Sequence, residues 1–425
     1  MSEKIAVIGS GMAGLAAARL AHLAGDQVTV FEAQQQRGMD AHSLNIHGGL
    51  VDVPLRVMSP LAWQSVLTLA EQVGVSTFPV HTYTSCSWDD RSTWFRSSRL
   101  PLVDLPWVAS WRHLNLKTLA LAQGLRQLRA ATERLRNSPQ DQRLLSEFIA
   151  DEGFQPIFWR GLILPILTTI CTCREAHLMA WPARDLMLLV DTILHGSTLR
   201  RLTGGTPALV AGLAQGLHFI SGSPVISVIR DDTASRPLQV SNARGDSDSF
   251  DRVIVATQAN QLDFLDPADY PRERELLQGI RFDHGELWVH SDMRFLPRQR
   301  SEWSALNFQM SRDLKDAMFT VLVNAVEPSL ADAPPVLQTW NPLFEPAPEQ
   351  VIARVPLARA VVHAGTRSVQ EQLATLHAEA DRRVFFCGSW AYPGVPLLES
   401  AVRSAQAVAA ALQTTRQAEA MAART

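Results

Sequence analysis

A short apolar run, Lys4-Ile5-Ala6-Val7-Ile8, opens directly onto Gly9-Ser10-Gly11-Met12-Ala13-Gly14, and a second apolar run ends at Glu32. That order confines the start of the chain to a strand, a tight turn, a helix and a second strand. In a G-x-G-x-x-G turn, Gly9 permits the sharp reversal, Gly11 lets the backbone approach a pyrophosphate with no Cβ in the way, and Gly14 lets the helix pack on the strand. The helix predicted from Leu15 to Ala24 aims its free amides and dipole at the phosphates. After Gly25-Asp26 a predicted strand, Gln27 to Phe31, leads to Glu32, about 20 residues past the glycines, where a carboxylate accepts hydrogen bonds from a ribose diol. A glycine turn alone is weak evidence. Strand, glycines, helix, strand and acid in this order predict a dinucleotide site.

At 425 residues, 46% of them apolar, the chain is long enough for two or three domains of about 100 to 200 residues each. A formal net charge of −3 shows none of the basic excess of a nucleic-acid surface, so no nucleic-acid partner is expected. Cys86, Cys171, Cys173 and Cys387 are too scattered for a disulfide scaffold. Cys171 and Cys173 lack a second pair at zinc-ligand spacing, so buried packing and no metal are expected. The first strand begins at Lys4, which leaves no room for a secretory leader, and no apolar run reaches the roughly 18 residues of a membrane span. These features predict a cytoplasmic location and no transmembrane segment, with peripheral membrane contact left open.

Farther along, His47-Gly48-Gly49 reads as a hairpin turn between strands at 41–46 and 50–53. From about Leu61 to residue 200 the apolar spacing is mostly helical, most clearly over Trp63 to Val73, Leu116 to Leu135 and Arg184 to Leu194. Strand character returns at Phe219-Ile220, Val225 to Ile229, Leu238 to Ser241 and Arg252 to Ala256, all expected to rejoin the first sheet. Further strands are predicted at Glu286 to His290, Met318 to Asn324 and Val384 to Cys387, before a last helix. The residues from Thr414 onward are small and polar and are expected to fray.

Near the C-terminus stand Phe385-Phe386-Cys387-Gly388-Ser389-Trp390 and Leu398-Glu399-Ser400-Ala401-Val402-Arg403-Ser404-Ala405. These residues resemble the closing motif of flavin amine oxidases and phytoene-desaturase-like enzymes, where a helix starts beneath the isoalloxazine. The resemblance implies FAD as the cofactor. Thr203-Gly204-Gly205, Pro224-Val225 and Val253-Ile254-Val255-Ala256-Thr257 resemble the same superfamily, with the backbone at Val225 meeting the adenine. A narrower match runs through Gly279-Ile280-Arg281-Phe282, His290 to Pro297, Trp303 to Asn307, Asn324 and Asn341-Pro342. It is similar to the FAD-binding oxidoreductases found with bacterial cyclopropane fatty-acyl synthases, and implies redox chemistry on a hydrophobic, acyl- or lipid-like substrate.

The resemblance implies an α/β fold, a Rossmann-like FAD-binding domain (1–60, 200–270 and 355–415) interleaved with a mixed α+β substrate domain (61–199 and 271–354), and a flexible tail (416–425). To the cofactor it assigns the glycine turn, Gly9, Ser10, Gly11, Met12, Ala13 and Gly14; Glu32 and Ala33; the loop Arg37, Gly38, Met39 and Asp40; Val225; and Gly388, Ser389, Leu398, Glu399 and Ser400. The departures bear on cofactor affinity, flavin pose and substrate choice. Gly38-Met39-Asp40 stands where the family has Gly-Gly followed by Arg or His, and Val51-Asp52-Val53-Pro54 where it has Val-Asp-Thr-Gly. Methionine adds bulk beside the cofactor and aspartate repels a pyrophosphate, with Arg37 near enough to compensate. Ser400 and Ala405 stand in place of glycines.

Flavin chemistry demands few protein groups, because the cofactor performs the hard step. His42 matches a family histidine and is the candidate for proton transfer. His290 and Asp292, two apart on a strand, can face one side as an acid–base pair or form a plain ion pair. Lys315 stands where the water-holding lysine of amine oxidases is sought, against the simpler reading of an exposed charge. Trp107 and Trp111 are expected on one helical face, with Trp159 and Trp181 near Cys171, lining either a tunnel or an ordinary core. Cys387 is the nearest candidate for covalent flavin attachment, with packing the default. Two further readings stay open: an amine or amino-acid oxidase of a specialised pathway, and a flavin-fold partner protein without catalysis.

Overall fold

The computed structural model describes residues 2–39, 43–99, 106–195, 198–231 and 233–422. Its first layer is a five-stranded parallel sheet in the order His218–Ser221, Gln27–Glu32, Lys4–Ile8, Arg252–Val255, Val384–Phe386. The first strand is buried on both faces, as parallel strands are. Ile5 and Val7 join the apolar cluster of the opening helix, Met12–Leu23, and the closing helix, Leu398–Ala422. Ala6 and Ile8 join the cluster on the other side, with Val228, Val240 and Phe250. The opening helix buries Ala13, Ala16, Ala17, Ala18 and Ala21, small side chains that let the closing helix, with its own buried Ala401 and Ala405, approach closely.

Not all the strands after residue 218 enter this sheet. Val225–Arg230, Leu238–Asn242 and Ser247–Phe250 form a separate antiparallel sheet that covers one face of the first.

The second large layer is an eight-stranded sheet in the order Val351–Val361, Arg281–His290, Leu337–Trp340, Ala317–Leu322, Leu306–Met310, Thr84–Trp88, Thr93–Arg99, Pro106–Val108. Three of these strands, with Thr77–Val80, fall where mostly helix was expected. The apolar alternation that marks a strand is missing there because polar side chains are buried: Ser85 and Ser87 are inside the sheet, and the Ser87 hydroxyl donates to the Phe308 carbonyl at 3.2 Å. Trp111 lies in a short 3-10 turn, Trp111–His113, and is 82% exposed, so it shares no helical face with Trp107, which lies in a strand.

Helices Leu116–Arg136, Leu145–Glu152, Leu164–Cys171 and Ala183–His195 pack on this sheet, and Trp159, Trp181, Cys171 and Cys173 are part of their core. The Asn115 side chain caps the first of them, accepting from the amides of Lys117 and Thr118. The closing helix continues through the stretch expected to fray, because Arg416 pairs with Asp26 at 2.8 Å and Glu3 at 2.6 Å. No helix of the described residues is long and apolar enough to cross a membrane.

Candidate functional site

The glycine turn sits at the C-terminal end of the first parallel strand, the usual place for a ligand in an open α/β sheet. Gly9 has φ +99°, and a Cβ there would stand 3.0 Å from the Ala256 carbonyl. At Gly14 a Cβ would stand 1.9 Å from the Gly9 oxygen, so only glycine lets the helix begin this close to the strand. Gly11 differs: a Cβ there meets no protein atom within 4 Å. It is also the N-cap of the opening helix, makes no side-chain capping bond, and is followed by a first turn with no acidic residue. Met12, Ala13 and Gly14 are buried. Buried helix amides without a cap call for a partner, and the open space at Gly11 is a cradle that fits a phosphate.

Glu32, almost fully buried, is held beside this turn. Its Oε2 accepts from the Ser10 amide at 3.0 Å and the Ser10 hydroxyl at 2.6 Å, and its Oε1 from the Gln34 amide at 2.9 Å. A carboxylate offers about four acceptor sites, so one stays open for a ribose hydroxyl. Val225 begins the three-stranded sheet just past Ser223, whose amide donates to the Glu32 carbonyl at 3.3 Å.

The loop after Ala33, which is exposed, returns onto the turn. A Cβ on Gly38 would fall 1.6 Å from the Ser10 carbonyl. The guanidinium of Arg37, the residue expected to offset the acid of this loop, lies over the Phe219 ring, 4.4 Å from the centroid, and Arg37 is exposed. Met39 is buried in the apolar cluster that contains Met12, Trp63 and Leu209. Asp40 and His42 lie outside the described residues.

At the other end of the site, Val384–Phe386 delivers Cys387 and Gly388. The Cys387 amide donates to the Val255 carbonyl at 2.9 Å, and the Gly388 amide to the Ser404 hydroxyl of the closing helix at 3.0 Å. A Cβ on Gly388 would fall 2.3 Å from the Trp390 ring nitrogen, which donates to the Thr257 carbonyl at 3.2 Å. Cys387 is fully buried, and burial pushes its thiol up to about 12, against the thiolate form that attacks most readily. Ser389 and Leu398 are half-buried, and the Ser400 hydroxyl donates to the Val395 carbonyl at 2.7 Å. The Glu399 carboxylate is engaged elsewhere, accepting from the Ser65 amide at 3.0 Å and the Val66 amide at 3.2 Å. Only its backbone is left for a cofactor. A cleft of about 400 Å³ opens here between Trp63, Leu188, Tyr392, Val395 and Leu397.

His290 and Asp292 do not form an acid–base pair. The His290 Nδ1 accepts from the Asp292 amide at 3.3 Å, so Nε2–H donates to the Thr339 hydroxyl at 3.0 Å, while the Asp292 carboxylate pairs with Arg294 at 2.6 Å. Burial holds His290 down to about 4. Lys315 is exposed on a turn, 3.2 Å from Asp313, and holds nothing in the interior.

Two arginines escaped the reading of the sequence. Arg359 and Arg56 are half-buried neighbours, each held below the usual arginine value first by burial. The Arg56 Nε donates to the Thr206 hydroxyl at 3.1 Å. The Arg359 Nε is buried with no hydrogen-bond partner, and Arg359 makes no ion pair among the described residues. Burial and the neighbouring Arg56 charge push Arg359 down to about 10, still cationic at neutral pH. The available signal was strand parity: Arg359 follows Val355 and Leu357 and precedes Val361 on one face of an extended run.

Residues 12–284 match the family profile of flavin containing amine oxidoreductase. No curated protein matches the sequence. Cyclohexylamine oxidase from Brevibacterium oxydans IH-35A superposes with a TM-score of 0.67 at 15% identity, over 99% of this chain and 100% of that one. Putrescine oxidase bound to putrescine gives 0.66 at 14%, over 97% and 99%. A CLA-producing fatty acid isomerase from P. acnes gives 0.65 at 15%, over 95% and 97%. At such identities the likeness establishes the fold. With the profile spanning well over half of the chain and the glycine cradle open at Gly11, the chain belongs to the flavin-containing amine oxidoreductases, as an FAD-dependent oxidoreductase.

Proposed function

We propose that this enzyme dehydrogenates or oxidises a hydrophobic, acyl- or lipid-like substrate. The observation that carries the reading is a pair of neighbouring, half-buried arginines, Arg56 and Arg359, of which Arg359 has neither ion pair nor hydrogen bond among the described residues. An ammonium substrate would be repelled by them, and a weakly polar dielectric strengthens that repulsion. The apolar residues two places either side of Arg359, Leu357 and Val361, give the pair a hydrocarbon setting that suits an acyl chain.

In this proposal the cofactor is held by the glycine turn. The amides of Met12, Ala13 and Gly14 meet the pyrophosphate, Gly9, Ser10 and Gly11 shape the turn, and Glu32 takes a ribose hydroxyl. Val225 presents its backbone edge to the adenine. The backbone of Gly388, Ser389 and Leu398 to Ser400 would hold the flavin ring, and Gly38 and Met39 would close the loop over the turn. Bound FAD supplies the hydride acceptor. The protein's own part is to position the chain, exclude water and move a proton, for which His42 is the candidate. We assign segments 1–60, 200–270 and 355–415 to the cofactor and 61–199 and 271–354 to the substrate.

The test is anaerobic titration of the yellow enzyme, following loss of the flavin absorbance. Bleaching by long-chain acyl compounds and none by alkylamines or diamines is the expected result. Bleaching by amines alone would replace this reading with the amine-oxidase one.

A further inference from the structure

Arg359 lies on the strand Val351–Val361, and its face is set by its neighbours two residues away. Leu357 packs with the hairpin residues Leu44, Val51 and Val53, whereas Val361 packs with the helical core that contains Cys171. Arg359 therefore points into the seam between hairpin and helices, where Arg56 and Cys171 are its charged and titratable neighbours.

Among the described residues no acid pairs with Arg359, and the nearest carboxylates are engaged by other groups, Asp52 also lying near enough to Arg56 to favour its charge. Asp283 stands directly across the ladder from Arg359 but is turned to Arg174, at 2.7 Å. Asp52 accepts from the Thr206 amide at 2.9 Å and the Ser43 hydroxyl at 3.3 Å, and lies 3.6 Å from Arg201, which also pairs with Glu327 at 2.8 Å. Among these groups positive charge exceeds negative charge by one. Leaving a guanidinium unpaired in the interior is costly unless something else completes it. The Thr206 hydroxyl holds the Arg56 Nε and leaves the two terminal nitrogens of that guanidinium without a partner among the described residues.

We infer that Arg359 and Arg56 form an anchor for a carboxylate, the free acid end of the substrate's acyl chain. The inference rests on the acyl reading above and narrows it, since an ester, a thioester or an alcohol would leave Arg359 without a charged partner among the described residues. A planar guanidinium matches a carboxylate through two parallel hydrogen bonds, and two guanidinium groups can grip both oxygens. Arg359 and Arg56 are then specificity-determining residues: they fix one end of the chain and so set which carbon meets the flavin.

The experiment titrates the FAD-loaded enzyme with hexadecanoic acid, its methyl ester and hexadecylamine, reading perturbation of the flavin spectrum, which needs no turnover. The acid is expected to bind about 100-fold tighter than the ester, with the gap shrinking to a few-fold in Arg359→Leu and recovering in part in Arg359→Lys. Equal binding of acid and ester by the native enzyme would remove the anchor and leave the acyl reading standing. No binding of acid or ester, with tight binding of the amine, would remove both. If Arg359→Leu folds by circular dichroism but cannot be loaded with FAD, the arginine serves the cofactor and the anchor falls. The comparison of acid with ester is made on the native protein, so it decides even if the variant fails to fold.

Discussion

Glu399 accepts hydrogen bonds from the amides of Ser65 and Val66, so the first turn of the closing helix caps the first turn of the helix Gln64–Gln72. A carboxylate at a helix N-terminus is favoured by both the free amides and the dipole. Glu399→Ala is expected to lower stability by about 1–2 kcal/mol and to leave FAD bound. Denaturant unfolding and the flavin content of the purified variant check it; a flavin-free variant of unchanged stability would show that the side chain faces the cofactor after all.

Gly11 and Gly14 separate folding from cofactor binding. A methyl group at Gly14 collides with the Gly9 carbonyl, whereas at Gly11 it enters space that no protein atom fills. Gly14→Ala is expected to cost about 3 kcal/mol or more, as overpacking against backbone does. Gly11→Ala is expected to melt like the parent apoprotein and to bind FAD at least about tenfold more weakly. Apoprotein melting curves with fluorescence titration of FAD give both numbers.

Glu32 joins the two halves of the first unit through Ser10. Replacing it by alanine removes the partner of the Ser10 amide and hydroxyl as well as the acceptor proposed for the ribose. Loss of hydrogen bonds to a charged group predicts FAD binding weaker by about 10- to 100-fold. Ser10→Ala, which keeps the carboxylate, should lose less. Equal losses in the two variants would mean that the bond to Ser10, rather than one to the ribose, carries the effect.

His377 and His290 bind protons less readily in the folded chain than in the unfolded one. The Nε2 of His377 accepts from the Phe386 amide at 3.0 Å, and burial, with the Arg382 charge, lowers its titration to about 3. His290 is lowered to about 4 by burial. Stability from both is complete above an unfolded value of about 6.5 and is lost as pH falls toward 4 and then 3, each contributing at most about 1.4 kcal/mol per pH unit. Urea unfolding at pH 7, 6 and 5 should show this decline, and His377→Gln should flatten it.

Lys315→Met is expected to change neither flavin reduction nor its reoxidation by oxygen, because the side chain stands 81% exposed beside Asp313. Stopped-flow measurement of both half-reactions checks this. A slower reoxidation would bring the amine-oxidase lysine back into consideration.

What was legible in the sequence is what is local. The glycine turn, its helix and Glu32 lie within one short stretch, and each residue type is demanded by its own backbone neighbours. The strands from 77 to 108 were not legible because their sheets are completed from far along the chain: Thr77–Val80 pairs with Leu199–Leu202, and Thr84–Trp88 with Leu306–Met310. In the larger sheet the buried polar residues Ser85, Asn307, Thr320, Gln338 and Thr339 erase the apolar alternation. Glu399 was legible as part of a motif but not in its bond to Ser65, since nothing near it in sequence announces the helix it caps. Arg359 was hidden for the opposite reason. An arginine in a strand reads as a solvent-facing position until the identity of the residues two places either side is taken into account.

The pairing of Arg416 with Glu3 spans 413 residues of chain, and Arg252 joins the same end of the sheet through Glu3 and Glu419. During synthesis the opening unit therefore leaves the ribosome long before the helix that covers it. Until Leu398–Ala422 has been made, the alanine stripe of Met12–Leu23 is uncovered and invites chaperones. A chain ending before Leu398 would have every residue of the glycine turn in place and still be expected to fail quality control.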